Sequence, residues 1–290
     1  MKQNKIIKLG FLAGSWAATT SCLPAITVAL WDFEDGLDGA SFTPSGSPNG
    51  TGGSTDSANN ILMRGWDATF GPSFTASTSP NGGSLAMSNA NNGQDGYVTE
   101  GALHGWSPTA WTIETHVYLE EIVGWETLIG RDGSSVAQAE SDFYLANNGI
   151  DDKFRINIMT VGGQRWILDG DLAPSLNTWY GLAAQSDGST LSLWLDDGSG
   201  YAPIGTLDIS AQSVADNALP GSALNWTFGR GWYGGSFVDH IDGRMDNIRF
   251  SDTALAPSEM IGLASAIPEP GSLAILSLAS LGFLKRRRAS

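Results

Sequence analysis

Apolar residues alternate with polar ones at period two along much of this chain. The segment Thr190-Leu191-Ser192-Leu193-Trp194-Leu195 does so most cleanly, which predicts a strand with one buried and one wet face. Comparable runs, rich in β-branched and aromatic residues, occupy 26–33, 84–87, 96–99, 111–119, 125–131, 143–146, 154–160, 165–169, 179–185, 225–230 and 245–250. Asn148-Gly149, Gly162-Gly163, Asp187-Gly188 and Asp197-Gly198 fall between runs, where tight turns need residues that tolerate left-handed backbone. Only 256–263 reads as a helix, with Ser258 and Glu259 near its start. About a dozen short strands with frequent turns predict an all-β fold, a two-sheet antiparallel jelly-roll sandwich. Trp31, Trp111, Trp179 and Trp194 lie within strands and are expected in its core. No internal repeat is visible.

Residues 37–82 break the pattern. Gly, Ser, Thr, Asn and Pro dominate there, and Ile61-Leu62-Met63 is the one apolar island. This predicts a long surface excursion with at most one short strand.

Both ends differ from the middle. Lys2, Lys5 and Lys8 precede an apolar stretch from Leu9 to Ala18 and small residues near Ala25, the layout of a secretory signal peptide covering 1–25. The only cysteine, Cys22, follows Thr19-Thr20-Ser21, which lacks the leucine of a lipid-attachment site. Cleavage after Ala25 therefore leaves a chain without cysteine, large enough to fold without disulfides. At the other end, Pro268-Glu269-Pro270 leads into a largely apolar stretch of 14 residues, 271–284, and then Lys285-Arg286-Arg287-Arg288. As a helix that run is about 21 Å long, short of a hydrocarbon core about 30 Å thick. The basic tip stays on the cytoplasmic side.

Charge narrows the partners. The 290 residues carry 30 acids and 15 bases, and once the terminal segments are set aside 8 bases face 29 acids, a net charge of −21. Such a surface repels polyanions and excludes nucleic acid as a partner. Neutral glycans, cationic partners and calcium remain compatible.

Two resemblances follow from these residues. The motif, apolar run and basic tail of 265–290 resemble the bacterial PEP-CTERM sorting signal. That resemblance implies Pro268, Glu269, Pro270, Arg286, Arg287 and Arg288 as the sorting motif, an exosortase-type membrane protease as partner, and transient anchoring in the inner membrane before release to the cell surface. The middle, 26–264, resembles LamG-like (concanavalin A-like) jelly rolls: an opening strand Ile26-Thr27-Val28-Ala29-Leu30-Trp31-Asp32-Phe33, then Trp111-Thr112-Ile113-Glu114-Thr115-His116-Val117-Tyr118. Next come Thr178-Trp179-Tyr180 with Asp187-Gly188-Ser189-Thr190-Leu191, and a closing Ile241-Asp242-Gly243-Arg244-Met245-Asp246-Asn247-Ile248-Arg249-Phe250. The resemblance implies a structural Ca2+ where first and last strands meet, with Asp246, Glu34, Asp32 and Asp242 as ligands. The alternative is that these acids are merely solvated edge positions.

For ligand binding, Arg230-Gly231-Trp232-Tyr233-Gly234-Gly235 places two aromatics in a glycine-rich loop where burial is hard to arrange. Sugars stack on aromatic faces and need polar partners for their hydroxyls, so Trp232, Tyr233, Arg230 and Trp166 are the candidate contacts, with Trp125 a lesser one. Hydrolysis by this superfamily needs alternating carboxylates on one strand. Glu114-Thr115-His116 lacks the middle acid, and Glu120-Glu121 follows. The 3 histidines, His104, His116 and His240, accompany no nucleophile elbow. The residues favour an exported, non-catalytic protein binding extracellular polysaccharide or matrix. A structural adhesive without a defined ligand is the first alternative; a β-glucan hydrolase using Glu114 or Glu120 is the second.

Overall fold

The computed structural model describes residues 27–43, 53–65, 71–80, 83–89, 95–98, 101–131 and 141–263. The signal peptide expected over 1–25 and the sorting segment 265–290 lie outside these residues.

The chain opens with β1 (Thr27–Trp31), β2 (Gly53–Thr55), β3 (Leu62–Gly65), β4 (Ser73–Ala76), β5 (Leu85–Asn89) and β6 (Gly96–Val98). A single helical turn at Gly101–His104 precedes β7 (Trp111–Glu121), β8 (Glu126–Arg131), β9 (Phe143–Asn147), β10 (Phe154–Met159) and β11 (Arg165–Asp169). Then come β12 (Trp179–Ser186), β13 (Thr190–Asp196), β14 (Ala202–Asp208), β15 (Trp226–Phe228), β16 (Gly231–Tyr233), β17 (Ser236–Val238) and β18 (Asp242–Ser251).

All but β16 and β17 form two sheets of 8, and those two pair as a separate two-stranded sheet. The first runs β14-β13-β12-β7-β18-β5-β4, with β1 also on β18; the second runs β11-β10-β9-β8-β15-β6-β3-β2. The closing strand organises the first sheet. One edge of β18 pairs with β7 from Asp242 to Ser251, while its other edge serves β5 at residues 243–245 and β1 at 248–251. The ladder with β7 shifts register between Asp246 and Arg249, and Asn247 there has φ 50°. Period-two alternation then decides what is buried. Ile113, Val117, Leu182, Leu193 and Phe250 face the second sheet, whose Ile129, Phe143, Ile156 and Trp226 meet them. At the centre, the Trp226 and Phe250 rings stand edge-on at 4.8 Å, flanked by Trp31, Trp106 and Phe228.

Three expectations need correction. The stretch 37–82 is not a surface excursion: it supplies β2, β3 and β4 and buries Phe42, Ile61, Met63 and Phe74 in the core. Few apolar residues suffice because Asp56, itself buried, ties the local backbone by accepting from the amides of Leu30, Ala58, Asn59 and Ile61. Trp194 is only half-buried, on the outer face of the first sheet.

The segment 256–263 is not a helix either. It holds one 3-10 turn, Pro257–Glu259, and continues extended through Met260 at φ −75°, ψ 155°. Side chains from the outer face of the first sheet take its backbone groups in place of helical bonds. Glu114 accepts from the amide of Ile261 at 2.8 Å, Asp196 from that of Leu263 at 2.8 Å, and His116 Nε2 donates to the carbonyl of Ile261 at 2.8 Å. Met260 packs against Ala183, and Leu263 against Ala86 and Trp179, so the segment is a strap sealed onto the sheet.

Candidate functional site

The outer face of the second sheet carries a cleft of about 450 Å³. Its floor consists of the outward positions of three neighbouring strands: Thr127 on β8, Tyr144 and Ala146 on β9, Arg155 and Asn157 on β10. The hairpin β16–β17 forms one wall with Trp232, Tyr233 and Val238, and Trp125 stands on another side. Gly234 and Gly235 make the two-residue hairpin turn with φ of 60° and 88°, the left-handed pair such a turn requires.

Specific contacts fix the hairpin over the sheet. The Tyr144 hydroxyl donates to the carbonyl of Trp232 and accepts from its amide, both at 2.9 Å. Trp232 is 5 % exposed and packs against Phe237, with ring centroids 5.2 Å apart. Tyr233 is 74 % exposed and Trp125 38 %. The Arg155 guanidinium lies 4.9 Å from the Trp125 ring centroid and forms a bidentate pair with Asp169, at 2.5 and 2.8 Å. That pairing, with Asn148 assisting against some desolvation, holds the Asp169 carboxyl below its ordinary value.

Asp239 closes the cleft. Its backbone is left-handed, φ 56°, and its carbonyl accepts from the amide of Thr127 at 2.8 Å. Burial pushes its carboxyl above the usual range. Chemically, the cleft offers ring faces to a flat apolar surface and polar side chains to the groups around it.

The sequence candidates separate here. Trp232 and Tyr233 both line the cleft with Trp125, but only Tyr233 is exposed as expected: Trp232 is buried by its packing on Phe237. Arg230 does not face the cleft: the side chain is fully buried, ion-paired with Asp95 and stacked 4.1 Å from the Phe237 ring centroid. It is a strut beneath the hairpin. Trp166 turns inward as well, packing on the core and donating to Asn217 at 3.1 Å. Sequence reading missed Tyr144, Arg155, Asn157 and Asp239. Outward alternation on β9 and β10 was a signal for the first three, but nothing local placed the hairpin over them.

Of the carboxylates expected to hold calcium, Asp32, Glu34 and Asp246 share one neighbourhood. Burial raises Asp246 to about 7; donors from Ser77 and the Asn247 amide work against this, while the charges of Glu34 and Asp32 add to it. In Glu34, burial is outweighed by the Ser84 hydroxyl and backbone donors, leaving its carboxyl low. Asp242 stands apart, paired in register with Glu121 and raised by burial and by Glu120 and Glu121. Crowded hard oxygens suit calcium chemically. Among the described residues, however, no group of three or more His, Cys, Asp or Glu is arranged to hold a metal ion.

The residues of the hydrolase alternative are engaged elsewhere. Glu114 is buried beneath the strap and ion-paired with Arg249, and Glu120 pairs with Arg244 at 2.8 Å. His116, fully buried, bridges the Ile261 carbonyl and, through Nδ1 at 2.9 Å, the Ser79 hydroxyl.

The family model for concanavalin A-like lectin/glucanases matches residues 92–260, more than half of the chain. The protein belongs to that superfamily. In this concanavalin A-like protein, residues 266–288 match the PEP-CTERM protein-sorting motif, which marks an exported, surface-sorted chain. Among solved structures, it resembles domain 4 of AbnA, a GH43 extracellular arabinanase from Geobacillus stearothermophilus, solved in complex with arabinotriose. The TM-score is 0.56 at 15 % identity, covering 83 % of this chain and 99 % of that one. It also resembles the binding domain of Paraclostridial Mosquitocidal Protein 1, with TM-score 0.55 at 12 % identity, covering 82 % of this chain and about half (51 %) of that one. At these identities the likeness is one of fold. No curated protein matches the sequence.

Proposed function

We propose that this protein is a non-catalytic glycan-binding protein of the cell surface, which holds an extracellular polysaccharide in the cleft between the β16–β17 hairpin and the second sheet. The observation that carries the reading is the exposed Tyr233 ring beside Trp125 and Trp232 in a concave site fringed by polar side chains. The arabinotriose in the structure of AbnA domain 4 lends support, as a ligand of a related fold.

The two ends of the molecule suit display. The strap leaves the outer face of the first sheet at Leu263, opposite the cleft and just short of the sorting motif. In this reading an exosortase-type protease of the inner membrane processes the motif while the cleft faces outward.

A glycan array with and without chelator tests it. Binding to at least one polysaccharide is expected, weakened about tenfold or more by Tyr233→Ala without loss of thermal stability. Absence of binding under both conditions would refute the reading. The alternative of a purely adhesive matrix protein predicts calcium-dependent self-association that is insensitive to Tyr233→Ala.

A further inference from the structure

Asp239 is a half-buried acid in an aromatic cleft, and no hydrogen bond or ion pair engages its carboxylate among the described residues. Nearby cations are committed elsewhere. Arg155 is held bidentately by Asp169, Arg230 is buried against Asp95, and Lys153 pairs with Asp151 at 3.0 Å. The adjacent His240 has its proton affinity lowered by burial and by the charge of Arg230, so it is no counter-ion.

An uncompensated carboxylate beside ring faces is a particular kind of site. Ring faces are electron-rich and attract cations, as the carboxylate does. Sugar hydroxyls can bond to Asp239 but leave its charge unbalanced in a partly desolvated place. A ligand ammonium satisfies both. An acidic sugar meets repulsion locally and from the net charge of −21 on the middle of the chain.

We propose that the cleft selects glycans bearing free amino groups, polymers of 2-amino-2-deoxy sugars, over neutral and acidic glycans, through an ion pair between a sugar ammonium and Asp239. This rests on the glycan-binding reading of the same cleft. The test is calorimetric titration of the full chain at mildly acidic pH with four oligosaccharides: a chitosan oligomer, its N-acetylated counterpart, a neutral β-glucan oligomer and an oligouronate.

The chitosan oligomer is expected to bind about tenfold or more tightly than the other three. Asp239→Asn, which tolerates the same left-handed backbone, is expected to erase that preference at unchanged melting temperature. Tyr233→Ala is expected to weaken every oligomer that binds. Equal or tighter binding of a neutral oligomer, or a preference that survives Asp239→Asn, overturns the amine inference while leaving glycan binding intact. Chitosan binding indifferent to both substitutions reveals nonspecific attraction to the acidic surface and overturns it too. No binding of any oligosaccharide overturns both readings.

Discussion

Replacing Glu126 with glutamine is expected to stabilise the protein above neutral pH. Glu126 is buried at the start of β8; Oε1 accepts from the amide of Val123 at 2.9 Å, and Oε2 has no partner among the described residues. Burial pushes its carboxyl up to about 7, opposed by the Val123 amide and reinforced by Asp242, Asp152 and Glu121. Because the folded value lies above the ordinary 4.5, the native state keeps a proton that the unfolded chain has already released. Stability from this group is complete below the unfolded value and is lost as pH rises through the folded one. At about 1.4 kcal/mol per pH unit for one proton, the loss is about 2.5 kcal/mol between about pH 5 and about pH 8.

Glutamine removes that loss, keeps the acceptor for Val123 and brings a donor toward Asn147. Asn147 lies opposite on β9, and neither of its side-chain amide atoms has a partner among the described residues. Urea unfolding followed by tryptophan fluorescence, with Trp31, Trp111 and Trp226 fully buried, reads the stability difference between variant and wild type. That difference is expected to move in favour of Glu126→Gln by about 2.5 kcal/mol from about pH 5 to about pH 8, or about 5–10 °C in melting temperature. A difference constant with pH, or one that favours wild type more as pH rises, would refute the argument.

Other outcomes follow from the same geometry. Glu114→Ala leaves Arg249 without its buried partner and frees the amide of Ile261. It is expected to cost about 3–5 kcal/mol by chemical denaturation and to expose the strap to protease near Leu263. Gly243→Ala would put a Cβ 2.2 Å from the backbone carbonyl oxygen of Tyr118, so β18 must move off β7. A loss of about 1–3 kcal/mol is expected, whereas an unchanged melting temperature would contradict the close approach. Mass measurement of protein recovered from the cell surface is expected to show removal of residues 1–25 and of the C-terminal basic tail. A mass that includes Ser290 would contradict processing.

Much of the fold was legible because an antiparallel sandwich writes itself into the chain. Inward and outward positions alternate, and strands such as 190–195 announce both faces. Where a segment lacked that signature, tertiary contacts supplied the structure. Gly53, Gly65 and Gly71 made 37–82 look like loop, yet the same absence of side chains lets β2, β3 and the residues beside Phe42 approach closely; a Cβ on Gly71 would lie 2.2 Å from the Phe42 carbonyl. The strap misled in the opposite sense. Its apolar spacing suits a helix, but Glu114, His116 and Asp196 capture its backbone from strands far away in sequence.

The cleft divides in the same way. Composition alone brought Trp232 and Tyr233 forward, because aromatics in a glycine-rich turn have few places to hide. Their difference in exposure, and the burial of Arg230 beside them, depends on Asp95 and Phe237 packing under the hairpin. By itself the sequence determined the address, the acidic charge, the all-β class and most strand positions, since each is written in local pattern or composition. Only the tertiary structure decided which outward side chains share a cleft and left the Asp239 carboxylate without a partner among the described residues. Neighbouring strands such as β8 and β15 are remote along the chain, so no local signal can set their order.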